Sequence, residues 1–379
     1  MKIAIVCPYD LGRPGGVQAH ILSLADALRA RGHEVWTVAP GSVGAPSHPT
    51  DGIARFGQSR AVSFNKTVID ISIAWGAEGR RLKVWLAEQN FDVIHFHTIW
   101  DPFLPLQVLA AAGPAARVAT FHDTPPETFS GRLTRQFFKT ICPFIARRVQ
   151  RMTAVSPGLL GHLTPPSGTT VEILPPAIKL QTPSPDINPP VENGDVEILF
   201  LSRLEPRKGA EVLLRAFSVL EKSGVAARLK IVGSGDEEAT LRQIIHNNKL
   251  QRVSLEGHVS EETKQAYLAR ADIFCAPALY GESYGLVLAE AMAAGLPIIA
   301  AANSGFRHVM REQAANCLVE PGDVDALASA LRRLISSPVL RQELSTWGRN
   351  NWKQHDIETW VCEFEALYQS AIDARHHDH

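Results

Sequence analysis

The chain has little that points to disulfides, zinc sites or membrane spans. Its five cysteines are odd in number and widely spaced, and no two of them form a CxxC pair, a pattern typical of free thiols in a reducing compartment. No apolar run approaches the roughly 20 residues that a membrane-spanning helix needs. The opening "MKIAIVCPY" lacks the basic region and cleavage pattern of a signal peptide. We therefore expect a cytoplasmic location.

The chain also has no strong excess of charge of either sign. Its formal net charge of -1 gives no global case for nucleic-acid binding, so any site for a polyanion has to be local. A length of 379 residues, of which 45% are hydrophobic and 20% charged, is typical of a globular chain with two domains.

Two successive α/β patterns follow one another along the chain. Short runs rich in Val and Ile alternate with amphipathic helical patterns from "KIAIVCPY" to "RVATFH", and again from "VEILFLSRL" to "LPIIAAA". This alternation predicts parallel sheets covered by helices on both faces. The proline-rich segment 180–195 is the predicted linker. It separates an N-terminal domain, 1–179, from a C-terminal domain, 196–356, and a final helix at about 357–373 is free to pack on either.

The stretch "GESYGLVLAEAMAAG" contains two glutamates, one before its apolar part and one inside it. A helix predicted over 284–294 places Glu282 before its N-terminus and Glu290 about two turns inside. Their separation of about 12 Å along a helix suits two ends of one extended ligand better than a glycosidase pair. The alternative is that Glu282 is an acid near the helix N-terminus, favoured by the helix dipole, and that Glu290 is a surface residue of the helix. The apolar neighbours of Glu290 favour a buried carboxylate, which needs a partner.

Two cations lie in the loop that follows the first strand of the second domain. Arg203 and Lys208, in "SRLEPRKG", are placed to neutralise a pyrophosphate, because ligands of open α/β sheets bind beyond the carboxyl ends of the strands. The alternative is a pair of solvated loop charges.

Two pairs of glycines lie at strand ends. Gly233 and Gly235 close a strand in "KIVGSGDEE", a weak dinucleotide signal that allows a close backbone approach. Gly15 and Gly16 lie between a strand and a helix, where free N–H groups would face a phosphate or a sugar. Tight-turn geometry explains the second pair equally well.

The candidates for a metal site have simpler interpretations. His95 and His97, in "IHFHTIW", share one face of a strand, and core or acceptor-site histidines are favoured over ligands. The DxD-like string from Asp323 to Asp325 is interpreted as a helix N-cap and a first-turn acid. We predict no metal site.

Taken in order, these features resemble the donor-site signature of retaining GT-B glycosyltransferases of family 4. The resemblance rests on Gly15 and Gly16, His122 in "VATFHDTPPETF", Arg203 with Lys208, and Glu282 with Glu290. It covers essentially the whole chain and implies two Rossmann-like domains facing each other across a cleft. Within the family, the opening segment and "EPRKGAEVLL" are most similar to the bacterial phosphatidylinositol mannosyltransferases.

The resemblance implies a role for each matching residue. Glu290 would hold the ribose and Glu282 the donor hexose, while Arg203 and Lys208 would stabilise the departing diphosphate. His122 would complete the catalytic set Arg203, Lys208, His122 and Glu282. The implied donor-binding set is Gly15, Gly16, Gly233, Gly235, Glu282, Ser283, Tyr284, Gly285, Leu286 and Glu290. The donor, a nucleotide diphosphate sugar, is a substrate, and neither a metal nor another cofactor is implied.

Other functions remain open at the level of sequence. A nicotinamide oxidoreductase would need a fuller GxGxxG fingerprint than "GRPGG" or "GSGDEE". A GT-B protein without transfer activity, such as an epimerase or a binding subunit, would lose part of the donor-site set. GDP-mannose is favoured over UDP-glucose or UDP-N-acetylglucosamine on the opening segment. The segment after His122 differs from the phosphatidylinositol enzymes, so the acceptor, lipid-linked or glycan, is not transferred by analogy.

A basic stretch at 131–152 suggests a membrane surface. It contains Arg132, Arg135, Lys139, Arg147, Arg148 and Arg151 and no acid, interleaved with Phe137, Phe138, Ile141, Phe144 and Ile145. Pro143 is predicted to split it into two short helices. A second patch is Arg80, Arg81 and Lys83 beside Trp85. Together they predict peripheral attachment to the anionic inner face of the cytoplasmic membrane. The alternative is a core helix with solvated arginines.

Overall fold

The computed structural model describes residues 1–13, 15–41, 50–64, 67–100, 103–122, 129–182 and 194–377. The chain divides into two compact units, one of Met1–Lys179 with Asp356–His379 and one of Leu180–His355. Most of the predicted linker, 180–195, lies outside the described residues.

The first unit is built on one sheet. Its strands are β1 (Lys2–Val6), β2 (Glu34–Gly41), β3 (Ile53–Phe64), β4 (Thr67–Ile73), β5 (Val93–His97), β6 (Ala116–Phe121), β7 (Arg151–Ala154) and β8 (Val171–Ile173). They run in the order β4-β3-β2-β1-β5-β6-β7-β8. Described pairings are parallel apart from the antiparallel pair of β3 and β4. Its helices before the chain leaves the unit are α1 (Gly16–Ala30), α2 (Ala77–Gln89), α3 (Leu104–Ala110) and α4 (Phe129–Ala146).

The second unit has a fully parallel sheet in its described residues. Its strands are β9 (Val196–Leu201), β10 (Ala227–Val232), β11 (Val253–Gly257), β12 (Ile273–Ala276), β13 (Ile298–Ala301) and β14 (Leu318–Val319), in the order β11-β10-β9-β12-β13-β14. Its helices are α5 (Ala210–Lys222), α6 (Glu238–Asn248), α7 (Glu261–Arg270), α8 (Leu286–Ala293), α9 (Phe306–Val309), α10 (Val324–Ser336) and α11 (Pro338–Asn351). The prediction of two Rossmann-like α/β domains is confirmed.

The last helix, α12 (Ile357–His377), belongs to the first unit. It packs beside α1 on one face of the first sheet. Successive side chains of β1 face opposite sides of the sheet. Ile3 and Ile5 pack in the core with α1 and α12, whereas Ala4 and Val6 pack in the core on the other face, with α2, α3 and α4. Burial on both faces explains why the strands are continuous runs of Val, Ile and Ala.

Helix α4 corrects the prediction that Pro143 splits the basic stretch. The helix is continuous from Phe129 to Ala146, with Pro143 inside its last turn. Proline has no N–H to give to the carbonyl of Lys139 four residues earlier. That carbonyl instead accepts a hydrogen bond from Thr164 Oγ1 at 2.8 Å. The helix therefore continues because a side chain outside it replaces the missing donor.

We expect Thr164→Val to lower the free energy of unfolding by about 0.5–1 kcal/mol, because it removes the donor to the Lys139 carbonyl. Chemical denaturation checks this. The matched control is Thr140→Val on the same helix, whose hydroxyl donates to the carbonyl of Gln136, a carbonyl placed to accept a helical N–H as well. Equal losses in both variants would contradict the role of Thr164.

Candidate donor-site loops and a buried histidine cluster

A compact charge network lies at the carboxyl end of β9. Lys208 Nζ lies 2.5 Å from Glu282 Oε1, and Arg203 lies 2.6 Å from Glu205. Arg207, which the sequence analysis did not single out, contacts Glu205 at 2.8 Å and Glu282 at 3.5 Å. Three cations thus share two carboxylates, which leaves one positive charge in excess. We call these five residues the charge network.

The charge network is mostly buried. Burial lowers the pKa of Lys208, and the attraction of Glu282 only partly opposes this. Arg203 is the most exposed of the three cations, with 45% of its side chain accessible. A desolvated ammonium interacts strongly with any anion that reaches it, because little water screens it. With its excess positive charge, the network is therefore suited to attract an anionic group.

Glycines let the loops of this region pack closely. A Cβ on Gly209 would lie 2.1 Å from the carbonyl oxygen of Pro277, and one on Gly233 would lie 1.8 Å from that of Ser202. Gly235 meets the backbone of Leu204 in the same way. The contacts of Gly233 and Gly235 join the loop after β10 to the Arg203 loop, and that of Gly209 joins the end of the Arg203 loop to the segment after β12. The close approach that the "GSG" string predicts is thus an approach to the protein's own backbone.

Helix α8 starts later than predicted and so corrects the position of Glu290. Gly285 adopts φ +108° and ends the preceding loop, so the helix begins at Leu286 and Glu290 lies about one turn inside it. No side chain caps this N-terminus, and its first turn has no acid. Its N–H groups therefore have no competing side-chain acceptor in the helix itself. Ser283 is half-buried, and Tyr284 is buried.

Glu290 has a partner that its sequence neighbourhood does not reveal. Its Oε1 accepts a hydrogen bond from Lys264 Nζ of α7 at 2.7 Å. Burial raises the pKa of Glu290, and Lys264 opposes that rise. Lys264 also contacts Glu261 at 2.8 Å. The buried carboxylate inferred from the sequence is thus paired across 26 residues of chain.

In the first unit, the glycine pair forms the start of α1. Gly15 is the N-cap residue and Gly16 the first helical residue. Gly15 is extended, and no side chain caps the helix. The first turn of α1 contains no acid either. Neither the N-cap residue nor an acid of the first turn therefore competes for the first N–H groups of this helix.

His122 belongs to a cluster of four buried histidines, the others being His20, His95 and His97. His97 Nδ1 and His122 Nε2 share a hydrogen bond of 2.8 Å. His20 Nδ1 donates to the carbonyl of Ala177 at 2.6 Å.

His95 ties the cluster to the sheet and to α12. It bonds Tyr368 of α12 at 2.8 Å and Thr120 at 2.6 Å. Burial is the main cause that lowers the pKa of all four rings, to about 4 for His20 and about 3 for His95. The cluster is therefore neutral at pH 7.

The predicted basic patches are only partly exposed. Arg80 and Lys83 are exposed on α2, but Arg81 bonds Glu78 and the carbonyl of Arg55, and Trp85 is a core residue. This corrects the grouping of Arg81 and Trp85 with a surface patch.

Helix α4 has one core face and one exposed apolar face. Phe138, Cys142 and Ile145 are buried, whereas an exposed stripe consists of Leu133, Phe137 and Phe144. Arg132 is exposed beside the stripe, and Arg135 and Lys139 are half-buried. Phe138 and Ile145 thus belong to the core, which corrects their inclusion in the surface pattern. Residues 123–128, the acceptor segment considered above, lie outside the described residues.

Asp323 caps α10, because its Oδ1 accepts the N–H of Ala326 at 2.8 Å, and this confirms the N-cap interpretation. Within the described residues, no three His, Cys, Asp or Glu side chains form a group that could hold a metal ion. No described helix is both long and apolar enough to cross a membrane.

Comparison with known families decides the class of the protein. Residues 14–182 match the model described as Glycosyltransferase Family 4, and residues 186–351 match the model of Glycosyl transferases group 1. The phosphatidyl-myo-inositol mannosyltransferase of Mycobacterium leprae (strain TN) is 34% identical, over 98% of this chain and 97% of its own length. The chain therefore belongs to the family 4, group 1 glycosyltransferases. The resemblance seen in the sequence is confirmed.

Further comparisons agree with this class. The corresponding mannosyltransferase of Mycolicibacterium smegmatis is 35% identical over 99% of this chain and 95% of its own length. Among solved structures, a sucrose-phosphate synthase from Thermosynechococcus elongatus superposes with a TM-score of 0.76 at 21% identity, covering 98% of this chain and 99% of that one. Anabaena HepE in complex with UDP and glucose gives a TM-score of 0.74 at 16% identity, covering 98% and 100%. At these identities the two structures establish the fold alone.

We expect the enzyme to lose stability in acid because the four clustered histidines are buried as neutral rings. The pKa of these rings is lowered in the folded state, whereas the unfolded chain binds their protons below about pH 6.5. Stability should therefore be complete above pH 6.5 and fall as the pH drops towards 4. Thermal melts between pH 7.5 and 4.5 measure this slope. His20→Gln should flatten it and His246→Gln, at an exposed position, should not. A melting temperature that does not change with pH would contradict the interpretation.

Proposed function

We propose that this glycosyltransferase moves a hexose from a nucleotide diphosphate sugar with retention of anomeric configuration and without a metal ion. The favoured donor is GDP-mannose, and the favoured acceptor is lipid-linked or a glycan in cell-envelope or polysaccharide biosynthesis. Relatives named phosphatidyl-myo-inositol mannosyltransferase support the mannosyl donor and the lipid-linked acceptor. The observation that carries the proposal is the charge network at the end of β9.

In the proposed reaction, the charge network exchanges partners. The diphosphate of the donor takes Lys208 and Arg203 from Glu282 and Glu205, to which they are bonded in the structure. As the bond between the hexose and the diphosphate breaks, negative charge grows on the leaving group, and preorganised cations stabilise that charge. Glu282, released from Lys208 but still in contact with Arg207, then accepts hydrogen bonds from hydroxyl groups of the hexose.

The remaining site residues orient the donor. Glu290 accepts from the ribose hydroxyls, and the hydrogen bond from Lys264 fixes the direction of its carboxylate. The N-terminus of α8 supplies the N–H groups of Gly285 and Leu286 to the phosphates. Gly16 and His122 of the first unit keep the roles that the family resemblance implies. His122 is neutral, so it contributes a hydrogen bond and no charge.

The proposal needs no metal because Lys208 and Arg203 would neutralise the diphosphate, with Arg207 as a third cation beside them. The DxD-like acids lie at the start of α10, where Asp323 caps the helix. Arg207 adds a third cation to the pair that the sequence suggests, and it is held by both carboxylates of the network. A divalent ion would have to compete with these cations for the same oxygens.

We expect Lys208→Ala or Arg203→Ala to lower turnover by about 10² to 10³, the effect typical of removing one preorganised donor to a developing charge. Initial rates at saturating donor measure this. The control is Arg215→Ala, which removes an exposed guanidinium on α5 that is paired with Glu211. If a variant of the charge network also has a lower melting temperature than the wild type, the residue has a structural role.

The mechanism predicts full activity in excess EDTA and a product with the anomeric configuration of the donor. Rates with and without EDTA, and NMR of the glycosidic linkage, measure the two properties. Loss of activity in EDTA that Mn²⁺ or Mg²⁺ restores would remove the metal-free claim. An inverted product would remove the claim of retention.

A donor screen tests the proposed function as a whole. Hydrolysis and thermal shift with GDP-mannose, UDP-glucose and UDP-N-acetylglucosamine compare the candidates under one condition. Preference for GDP-mannose supports the proposal. Preference for a UDP-sugar with a soluble acceptor would replace the donor and acceptor assignments and leave the network mechanism in place.

Peripheral membrane attachment of the first unit is part of the same proposal. The stripe of Leu133, Phe137 and Phe144 lies on one side of α4, with Arg132 beside it, and Arg148 stacks on Phe144 at 3.6 Å. Exposed Arg80 and Lys83 on α2 add positive charge. This combination of aromatic and basic side chains is typical of elements that lie at a bilayer interface.

We expect the enzyme to float with anionic liposomes and to be released by salt, since each basic residue near the surface is worth about 1 kcal/mol. Phe137→Ser should weaken flotation. Val219→Ser, which replaces an exposed apolar residue in the second unit, is the control. Equal partition into neutral and anionic vesicles, or none into either, would make a soluble acceptor the better interpretation.

A further inference from the structure

One hydrogen bond links the loop that contains Glu282 to the end of the second unit. Tyr284 Oη lies 2.7 Å from His355 Nδ1, and the two rings meet edge to face with centroids 5.6 Å apart. Both side chains are buried, with 9% of Tyr284 and 3% of His355 exposed. His355 is the last residue of the second unit before the chain returns to the first.

Both partners are neutral. Burial raises the pKa of Tyr284 and lowers that of His355 to about 4, and the positive charge of Arg311 acts on each. Because both groups are neutral and buried, their hydrogen bond does not depend on an ion pair. The second ring nitrogen of His355, Nε2, is buried and has no hydrogen-bond partner in the described part of the chain. The bond to Tyr284 is therefore the interaction that sets the orientation of this ring.

The loop 281–285 is held from two sides. On one side Lys208 and Arg207 contact Glu282, and Arg207 also donates to the carbonyl of Gly281 at 3.3 Å. On the other side is the bond from Tyr284 to His355. Residues Trp352–His355 form a short 3-10 helix that packs against α8, the helix that follows the loop and contains Glu290. The bond thus connects the loop to a segment already docked on the helix of the site.

We propose that Tyr284 and His355 are positioning residues, which hold the loop 281–285 in its binding geometry while Lys208 changes partner. The inference rests on the proposed function, in which the diphosphate takes Lys208 from Glu282. At that moment the short ion pair of Lys208 with Glu282 is given up, and only the longer contacts of Arg207 remain on that side of the loop. The hydrogen bond from Tyr284 to His355 then holds the loop, and Glu282 stays where it can meet the hexose.

Variants of the full-length enzyme separate positioning from general stability. Tyr284→Phe keeps the ring and removes the hydroxyl, so the dissociation constants of GDP-mannose and GDP should rise about three- to tenfold. The KM for the donor should rise in parallel, with a smaller change in kcat. His355→Leu should have the same effect, whereas His355→Asn, whose amide can replace Nδ1, should restore most of the affinity. In the double variant Tyr284→Phe/His355→Leu the effects should not add.

The matched control is Trp347→Phe. It removes another nearly buried hydrogen bond of the second unit, from Trp347 Nε1 to Glu312 Oε2 at 3.0 Å, between two residues outside the loop 281–285. It should lower the melting temperature without changing the dissociation constants. Isothermal titration and scanning calorimetry on the same preparations give both quantities.

The outcomes distinguish the two levels of the proposal. Wild-type affinity in Tyr284→Phe, or equal weakening in Trp347→Phe, overturns the positioning role and leaves the proposed function intact. If the wild-type enzyme binds neither GDP- nor UDP-sugars, the proposed function fails, and the inference fails with it. Tighter binding by the wild type than by Tyr284→Phe, with recovery in His355→Asn, supports the positioning role.

Discussion

The partnering of buried charges is the constraint on which the second unit depends. Ionised groups cannot leave water without partners, and the carboxyl end of β9 brings together three cations and two carboxylates. Glu290 meets the same requirement through Lys264 of another helix. Each pair holds two elements in place, so the loops after β9 and β12 and the helices α7 and α8 are positioned by charge as well as by packing.

The same arrangement of charges suits the network to the proposed reaction. Because three cations share two carboxylates, one positive charge is in excess, and in the proposed reaction two of the pairs exchange for the diphosphate of the donor. Glycines make this possible, since Gly209 and Gly233 let neighbouring loops approach at distances that a Cβ would forbid. Preorganisation of this kind avoids the cost of moving charges and loops when the ligand arrives.

The first unit solves a related problem with neutral groups. Four histidines lie in its core and avoid the cost of buried charge by remaining unprotonated. Their hydrogen bonds reach Ala177 and Tyr368, so they tie the strand ends near His122 to the segment through which the chain leaves the unit and to the helix with which it returns. The hydrogen bond between Tyr284 and His355 is a similar neutral contact at the corresponding place in the second unit.

Much of this follows from sequence alone, for local reasons. Two α/β domains follow from strand and helix periodicity and from loop glycines, which depend on neighbours along the chain. The family follows from short motifs, which contain Arg203 with Lys208 and Glu282 with Glu290. The N-cap role of Asp323 is local in the same way.

Tertiary structure decided what depends on residues far apart in sequence. Lys264 is 26 residues from Glu290, and His355 is 71 residues from Tyr284, so no local pattern pairs them. Pro143 shows the limit most directly: its local effect is to break a helix, and Thr164, brought close by the fold, supplies the missing donor. Local propensity is set by a few adjacent residues, whereas the satisfaction of buried polar groups is set by whichever side chains the fold brings within hydrogen-bond distance.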